Sequence, residues 1–194
     1  IFGNMNFKKI EFKKFFSSPD KSCIHARKNI DGEFEMLQSG GRITTFDDDH
    51  ILFSTGEYRS RFLAQDVSNI NGKVIKVNID DASYEIISMG HRNPQGLYFD
   101  KKKKFILETE HGPAGGDEVN LIDLTKFKNN KPLNFGWAIT SAGEHYNKNI
   151  EKNRKYPLFK SHSKHGFIEP LKSFVPSIGI SEITKIKSNF YVFS

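Results

Sequence analysis

Short apolar runs separated by polar turns dominate the chain, and no long stretch carries the three- and four-residue apolar spacing of a helix. Phe7 to Phe16 alternates loosely and is rich in Phe and Ile. Arg42 to Phe46 and Ile51 to Thr55 are β-prone and flank the turn Asp47-Asp48-Asp49-His50. Lys73 to Ile79 alternates, with Val74, Ile75, Val77 and Ile79 as its apolar members. Leu97 to Phe99 and Phe105 to Thr109 are parted by Asp100 and four lysines, and Ile183 to Ile186 and Phe190 to Phe193 by Lys187-Ser188-Asn189. Short strands joined by tight polar turns predict an all-β sandwich, barrel or propeller.

Three of these pairs read as one repeated unit: GRITTF-DDDH-ILFSTG, QGLYF-DKKKK-FILETE and SEITKI-KSN-FYVFS. They lie about 50 and then about 85 residues apart, against the ~40–50 of an uninterrupted propeller blade. The longer interval holds a Lys-, Asn- and His-rich stretch, residues 147–166, which is expected to be an inserted surface loop. Similar paired-strand units bury one face by stacking on their neighbours, which favours a propeller over a sandwich. The chain opens on Ile1 and closes inside a strand-like run. The expectation is that residues 1–194 form a fragment of one propeller domain, three to four blades of it.

Composition narrows the class. With 37% hydrophobic and 27% charged residues, the 194 residues suit a soluble globular chain. No apolar run approaches the ~20 residues of a membrane-spanning helix, so no transmembrane segment is expected. One cysteine, Cys23, excludes an internal disulfide framework and a four-cysteine zinc site. The net charge of +6 is spread over short clusters such as Lys101 to Lys104, which suit turns and edge strands. No basic helix stripe and no nucleic-acid module is present, so no nucleic-acid partner is expected.

Two segments are unlike ordinary turns. Gly90-His91-Arg92-Asn93-Pro94-Gln95-Gly96 places Arg, Asn and Gln just before a strand, where a propeller's end-face loops lie. Arg offers a planar fork to a carboxylate or quinone oxygen, and the amides offer neutral donors; a turn whose side chains cap backbone groups is the other reading. Glu110-His111-Gly112-Pro113-Ala114-Gly115-Gly116-Asp117-Glu118 combines an irregular backbone with acids. Inward carbonyls beside carboxylates suit a hard cation such as calcium, and a Gly-rich loop with solvated acids is the alternative.

Taken in order, these strings resemble the soluble quinoprotein sugar dehydrogenases, the glucose/sorbosone or aldose sugar dehydrogenase family. Further matching stretches are Gly41-Arg42, Ser54-Thr55-Gly56, Ala64-Gln65-Asp66, Gly72-Lys73-Val74, Val119-Asn120-Leu121-Ile122 and Asn134-Phe135-Gly136-Trp137, and the likeness runs from about Gly40 to the end. The resemblance implies a six-bladed β-propeller. It implies pyrroloquinoline quinone (PQQ) on one face, a calcium ion bridging the quinone and backbone carbonyls, and hydride transfer from the sugar to the quinone. It also implies a sugar substrate, an electron acceptor and an exported, periplasmic or extracellular location. By resemblance Arg92 and Asn93 match quinone-proximal residues, and His111 lines the cofactor pocket. The carbonyls of Gly112 and Pro113 match the pair that holds the quinone-bound calcium. Glu118 and the Phe135 carbonyl match part of a second, structural calcium site.

The pattern breaks at the base. The family's proton acceptor is a histidine four residues before the Gly-Arg arginine, and that position is Gln38. Its orienting carboxylate, usually aspartate, matches Glu57. A glutamine cannot take a proton at neutral pH, and loss of a base costs on the order of 10²–10⁴ in rate. His25 and His111 are the candidate substitutes. Enzyme activity is therefore left open against a non-catalytic calcium- or sugar-binding propeller. The later quinone-binding residues of the family are absent from the chain, so the remaining blades are expected from the same longer chain or from another one.

Overall fold

A computed structural model describes residues 2–6, 9–19, 37–146 and 154–194. The strands in chain order are β1 (Phe2–Asn6), β2 (Lys9–Lys13), β3 (Gly40–Thr45), β4 (His50–Thr55), β5 (Lys73–Asn78), β6 (Tyr84–Met89), β7 (Pro94–Asp100), β8 (Phe105–Glu110), β9 (Asp117–Asp123), β10 (Leu133–Asn134), β11 (Lys172–Phe174), β12 (Glu182–Ile186) and β13 (Asn189–Phe193). The three repeated units are the antiparallel hairpins β3–β4, β7–β8 and β12–β13. The first two are carried on by their sheets: β3 to β6 form one meander, with β10 added in parallel beside β6, and β7 to β9 form a second, closed by β11, while β12–β13 stands as a two-stranded sheet.

The turns fold as their residues dictate. Asp47 accepts the Asp49 N–H at 3.0 Å, and Asp100 accepts the Lys103 N–H at 3.0 Å. Lys104 and Lys187 close the other two hairpins in the left-handed region, with φ of 55° at both. β6 and β9 were not expected as separate strands. The GGDE string runs straight into β9, so Asp117 and Glu118 are strand residues at the mouth of a glycine loop.

The core lies between the two larger sheets. Leu52, Val74 and Ile87 of the first meet Leu97, Ile106 and Ile122 of the second, with Phe135 beside them. Each such side chain, fully buried, contributes about 1.5–3 kcal/mol. β5 is covered on both faces, since Ile75 and Val77 pack with Ile70 on the opposite side from Val74. Leu107 and Val119 meet Ile180 and Ile183 and bring the third hairpin against the second sheet.

The first strands of the three units converge. β3 lies against β7, and β7 against β12. Arg42 ties all three, donating from Nε to the Gln95 carbonyl at 2.9 Å and pairing with Glu182 at 2.7 Å. A side chain at Gly96 would meet Thr109 Oγ1 at 2.4 Å, Ile183 N at 2.9 Å and Glu182 Cα at 3.0 Å, so β7 and β12 approach this closely because that position is glycine.

The expected surface loop, residues 147–166, is described from Arg154 onward. Arg154, Lys155, Pro157 and Lys160 are exposed, but Tyr156 and Leu158 are buried against Ala64, Trp137 and Ala138, and His162 is buried too. The polar average of the stretch concealed these anchors. His25, Phe7 and Cys23 lie outside the described residues. Among the described residues no helix is long and apolar enough to cross a membrane.

Candidate functional site

The two unusual segments meet where β7 starts and β8 ends. Arg92 lies on the loop between β6 and β7, and His111 and Gly112 follow β8 directly. The Arg92 guanidinium donates from Nη1 to the carbonyls of His111 at 3.0 Å and Gly112 at 2.7 Å. It sits 5.5 Å from the centre of the Trp137 ring and 6.0 Å from that of Tyr146. Burial pushes its pKa down, while Glu57, Tyr146 and Glu110 oppose that shift. An arginine nonetheless stays charged across the accessible range, so a fixed positive charge is held here.

Asn93 spans the first two sheets. Its Oδ1 accepts the Gly40 N–H and Gln95 Nε2–H, each at 3.0 Å, and its carbonyl accepts the His111 N–H at 3.2 Å. Gln38 stands opposite. It is in the left-handed region, with φ of 56°, and its carbonyl accepts the Tyr58 N–H at 3.1 Å. A Cβ on Gly56 would fall 1.7 Å from that carbonyl oxygen, which is why glycine lies between Thr55 and Glu57. Glu57 is buried and donates its N–H to the Arg92 carbonyl at 3.0 Å. Gln38, Arg92, Asn93 and His111 thus border one open cavity of about 330 Å³, with Arg59 and Tyr146 among its other lining residues. That volume is at the small end of ligand pockets.

The glycine loop is held by Asp117. Its Oδ1 accepts the Gly112 N–H at 3.2 Å and stands 3.8 Å from His111 Nδ1. Its Oδ2 accepts the N–H groups of Ile178, Gly179 and Ile180 at 3.1, 2.8 and 3.1 Å. The Pro113 carbonyl accepts the Gly116 N–H at 3.2 Å. Both expected calcium-binding carbonyls therefore carry one hydrogen bond and retain a second lone pair.

A smaller cavity of about 10 Å³ lies behind Arg92, lined by Glu110, Glu118, Phe135, Thr140 and His162 among others. Burial, and then Glu110, push the Glu118 pKa well up, and burial pushes that of His162 down. Thr140 Oγ1 is buried with no hydrogen-bond partner among the described residues. Two carboxylates and a hydroxyl around a space for one small ion or water fit a hard, oxygen-seeking cation.

His91 carries a buried chain: Ser88 Oγ lies 2.8 Å from its Nε2, and Glu110 Oε1 lies 3.2 Å from its Nδ1. The order hydroxyl, imidazole, carboxylate is that of a nucleophile relay. All three groups are buried and Ser88 lines neither cavity, so the chain is a tether.

Sequence reasoning assigned no role to Asp117, Glu110, Arg59 or Tyr146. The first two stood inside a recognised string, but which backbone groups they serve is settled by residues far along the chain. Arg59 and Tyr146 carried no local signal.

The profile of the Glucose / Sorbosone dehydrogenase family matches residues 24–192. The chain belongs to this family. It is similar to slr1608 of Synechocystis sp. (strain ATCC 27184 / PCC 6803 / Kazusa), 31% identical over 197 residues, covering 82% of this chain and 45% of the relative. It is 37% identical over 84 residues to quinoprotein glucose dehydrogenase B of Acinetobacter calcoaceticus, covering 38% of this chain and 16% of that one. The solved apo-form of the soluble aldose sugar dehydrogenase from Escherichia coli superposes with a TM-score of 0.58 at 27% identity, over 74% of this chain and 42% of the other. The chain spans less than half the length of these relatives.

Proposed function

We propose that the chain is part of a six-bladed β-propeller that oxidises aldose sugars with PQQ and calcium. The observation that carries this reading is the convergence of Arg92, Asn93, Gln38 and the His111–Gly112 carbonyls on one cavity, in a member of a sugar dehydrogenase family. A matched relative is a quinoprotein glucose dehydrogenase. The exposed apolar residues of β13, Phe190 to Phe193, support completion of the ring by further blades of the same longer chain or of another. An exported, periplasmic or extracellular location goes with this reading.

When bound, the quinone would supply the two-electron acceptor for hydride from the sugar C1. The chain's own residues do the rest. Arg92 offers a fixed guanidinium, desolvated by Trp137 and so effective against developing negative charge. Asn93 and His111 line the cofactor side. The Gly112 and Pro113 carbonyls would hold one calcium ion, and Glu118, with the Phe135 carbonyl and Thr140, would hold a second, structural one.

Gln38 borders the cavity with a side-chain oxygen that has no hydrogen-bond partner among the described residues. An amide at this position can take part in a hydrogen bond to a sugar hydroxyl but cannot remove its proton. This favours a second reading, a propeller that binds sugar without turnover.

The test uses the protein in its full natural length, reconstituted with calcium and PQQ. Reduction of an artificial electron acceptor is followed over a panel of aldoses, with Gln38→His alongside. Turnover by both, with Gln38→His faster, supports the enzyme reading. Turnover only by Gln38→His supports the binding reading. Absence of quinone binding in both sinks the first.

A further inference from the structure

We infer that Glu110 is a positioning residue, one buried carboxylate that sets Arg92 against the carbonyls of the glycine loop. The inference deepens the reading that Arg92 faces a quinone. Glu110 ends β8 and is 3% exposed. Its Oε2 accepts the Arg92 N–H at 2.5 Å. Its Oε1 accepts Asn120 Nδ2–H at 2.9 Å and faces His91 Nδ1 at 3.2 Å. Three donors from two parts of the chain converge on one carboxylate, the loop after β6 supplying two and β9 the third.

The next two residues complete a ring. The side chain of Glu110 grips Arg92 by its backbone N–H, while the carbonyls of His111 and Gly112 grip the same residue by its guanidinium. Both ends of one arginine are thus held by three consecutive residues. The imidazole of His91 is fixed in turn by Ser88 and by stacking on Phe135, 5.1 Å between ring centres. The imidazole thus bridges the Ser88 hydroxyl at Nε2 and the Glu110 carboxylate at Nδ1. A carboxylate is the group that answers donors on both oxygens. A glutamine of the same shape has one acceptor oxygen and turns an NH₂ toward either the Arg92 N–H or the His91–Asn120 pair. Glu110 is therefore the point where the GHRNPQG and EHGPAGGDE strings are joined.

The experiment reads the clamp directly. In the NMR spectrum of wild-type protein without quinone, a short bond to a carboxylate places the Arg92 amide proton downfield and protects it from exchange. Glu110→Gln is expected to move it upfield and to speed its exchange at least tenfold. With calcium and PQQ titrated in, Glu110→Gln is expected to weaken quinone binding on the order of tenfold, as loss of a hydrogen bond to a charged group does. In an Arg92→Gln background the same change is expected to do nothing further, because the residue acts through Arg92. An unmoved Arg92 amide, or quinone effects that multiply independently in the double variant, overturns the inference. If wild type takes up no quinone, the functional reading fails and the amide signal alone decides the clamp. If Glu110→Gln does not fold, Ser88→Ala loosens the far end of the chain. It should speed Arg92 amide exchange several-fold, and an unchanged rate overturns the tether.

Discussion

Replacing Asp117 by alanine should destabilise the protein by about 3–5 kcal/mol. The carboxylate is 1% exposed and receives four backbone N–H groups, those of Gly112, Ile178, Gly179 and Ile180. Ile178 and Gly179 are exposed, so water can take over their N–H groups at little cost. Gly112 and Ile180 are buried, and each N–H left without an acceptor costs about 1–3 kcal/mol. Two such groups, with a smaller loss for the exposed pair, give the stated range. Asp117→Asn should cost about half as much. Its amide oxygen can serve the three N–H groups at 178–180, while its NH₂ faces the Gly112 N–H alone. The assay is urea unfolding followed by tryptophan fluorescence, since Trp137 is the single tryptophan and lines the small cavity beside the loop. A loss below about 1 kcal/mol for Asp117→Ala, or a larger loss for Asn than for Ala, would refute the claim that this carboxylate staples the glycine loop to the segment entering β12.

Other outcomes are expected on the same physical grounds. Gly96→Ala should cost about 1–3 kcal/mol by thermal melting, because a Cβ there collides with the backbone of β12, whereas Gly166→Ala meets no atom within 4 Å and pays only for its left-handed backbone. Ile106→Ala should lose about 2–5 kcal/mol in urea denaturation, as this side chain is fully buried between the sheets. Lys73 is buried, with Nζ donating to the carbonyls of Leu63, Ala64 and Asn71, and burial lowers its pKa from 10.5 to about 7, with Asp66 opposing. The unfolded chain then binds the extra proton between those two values. Stability of wild type relative to Lys73→Met should therefore rise with pH from about 7 toward 10.5, read from urea midpoints, and a flat difference would show that the ammonium stays charged in its carbonyl cradle.

The strand content and the three repeated hairpins were legible because β-alternation and tight polar turns are local properties. Neighbouring residues decide them, and the observed β3–β4, β7–β8 and β12–β13 pairs lie within a few residues of the expected runs. The two unusual strings were legible for a similar reason, since glycine, proline and clustered donors stand out in composition. β6 and β9 were less so: β9 was read as the tail of a loop motif. The anchors of residues 147–166 were missed because Tyr156 and Leu158 are isolated apolar residues in a polar stretch.

The sequence by itself determined the all-β class, the turns and the family strings. These depend on side-chain type and short spacing. Tertiary structure alone decided which groups meet. Asp117 finds three of its four N–H partners about sixty residues onward, Arg92 finds the Gly112 carbonyl, and Gly40 finds Asn93. A buried carboxylate must satisfy its lone pairs with whatever donors the packed sheets bring within 3 Å, and nothing in its own neighbourhood says which those will be.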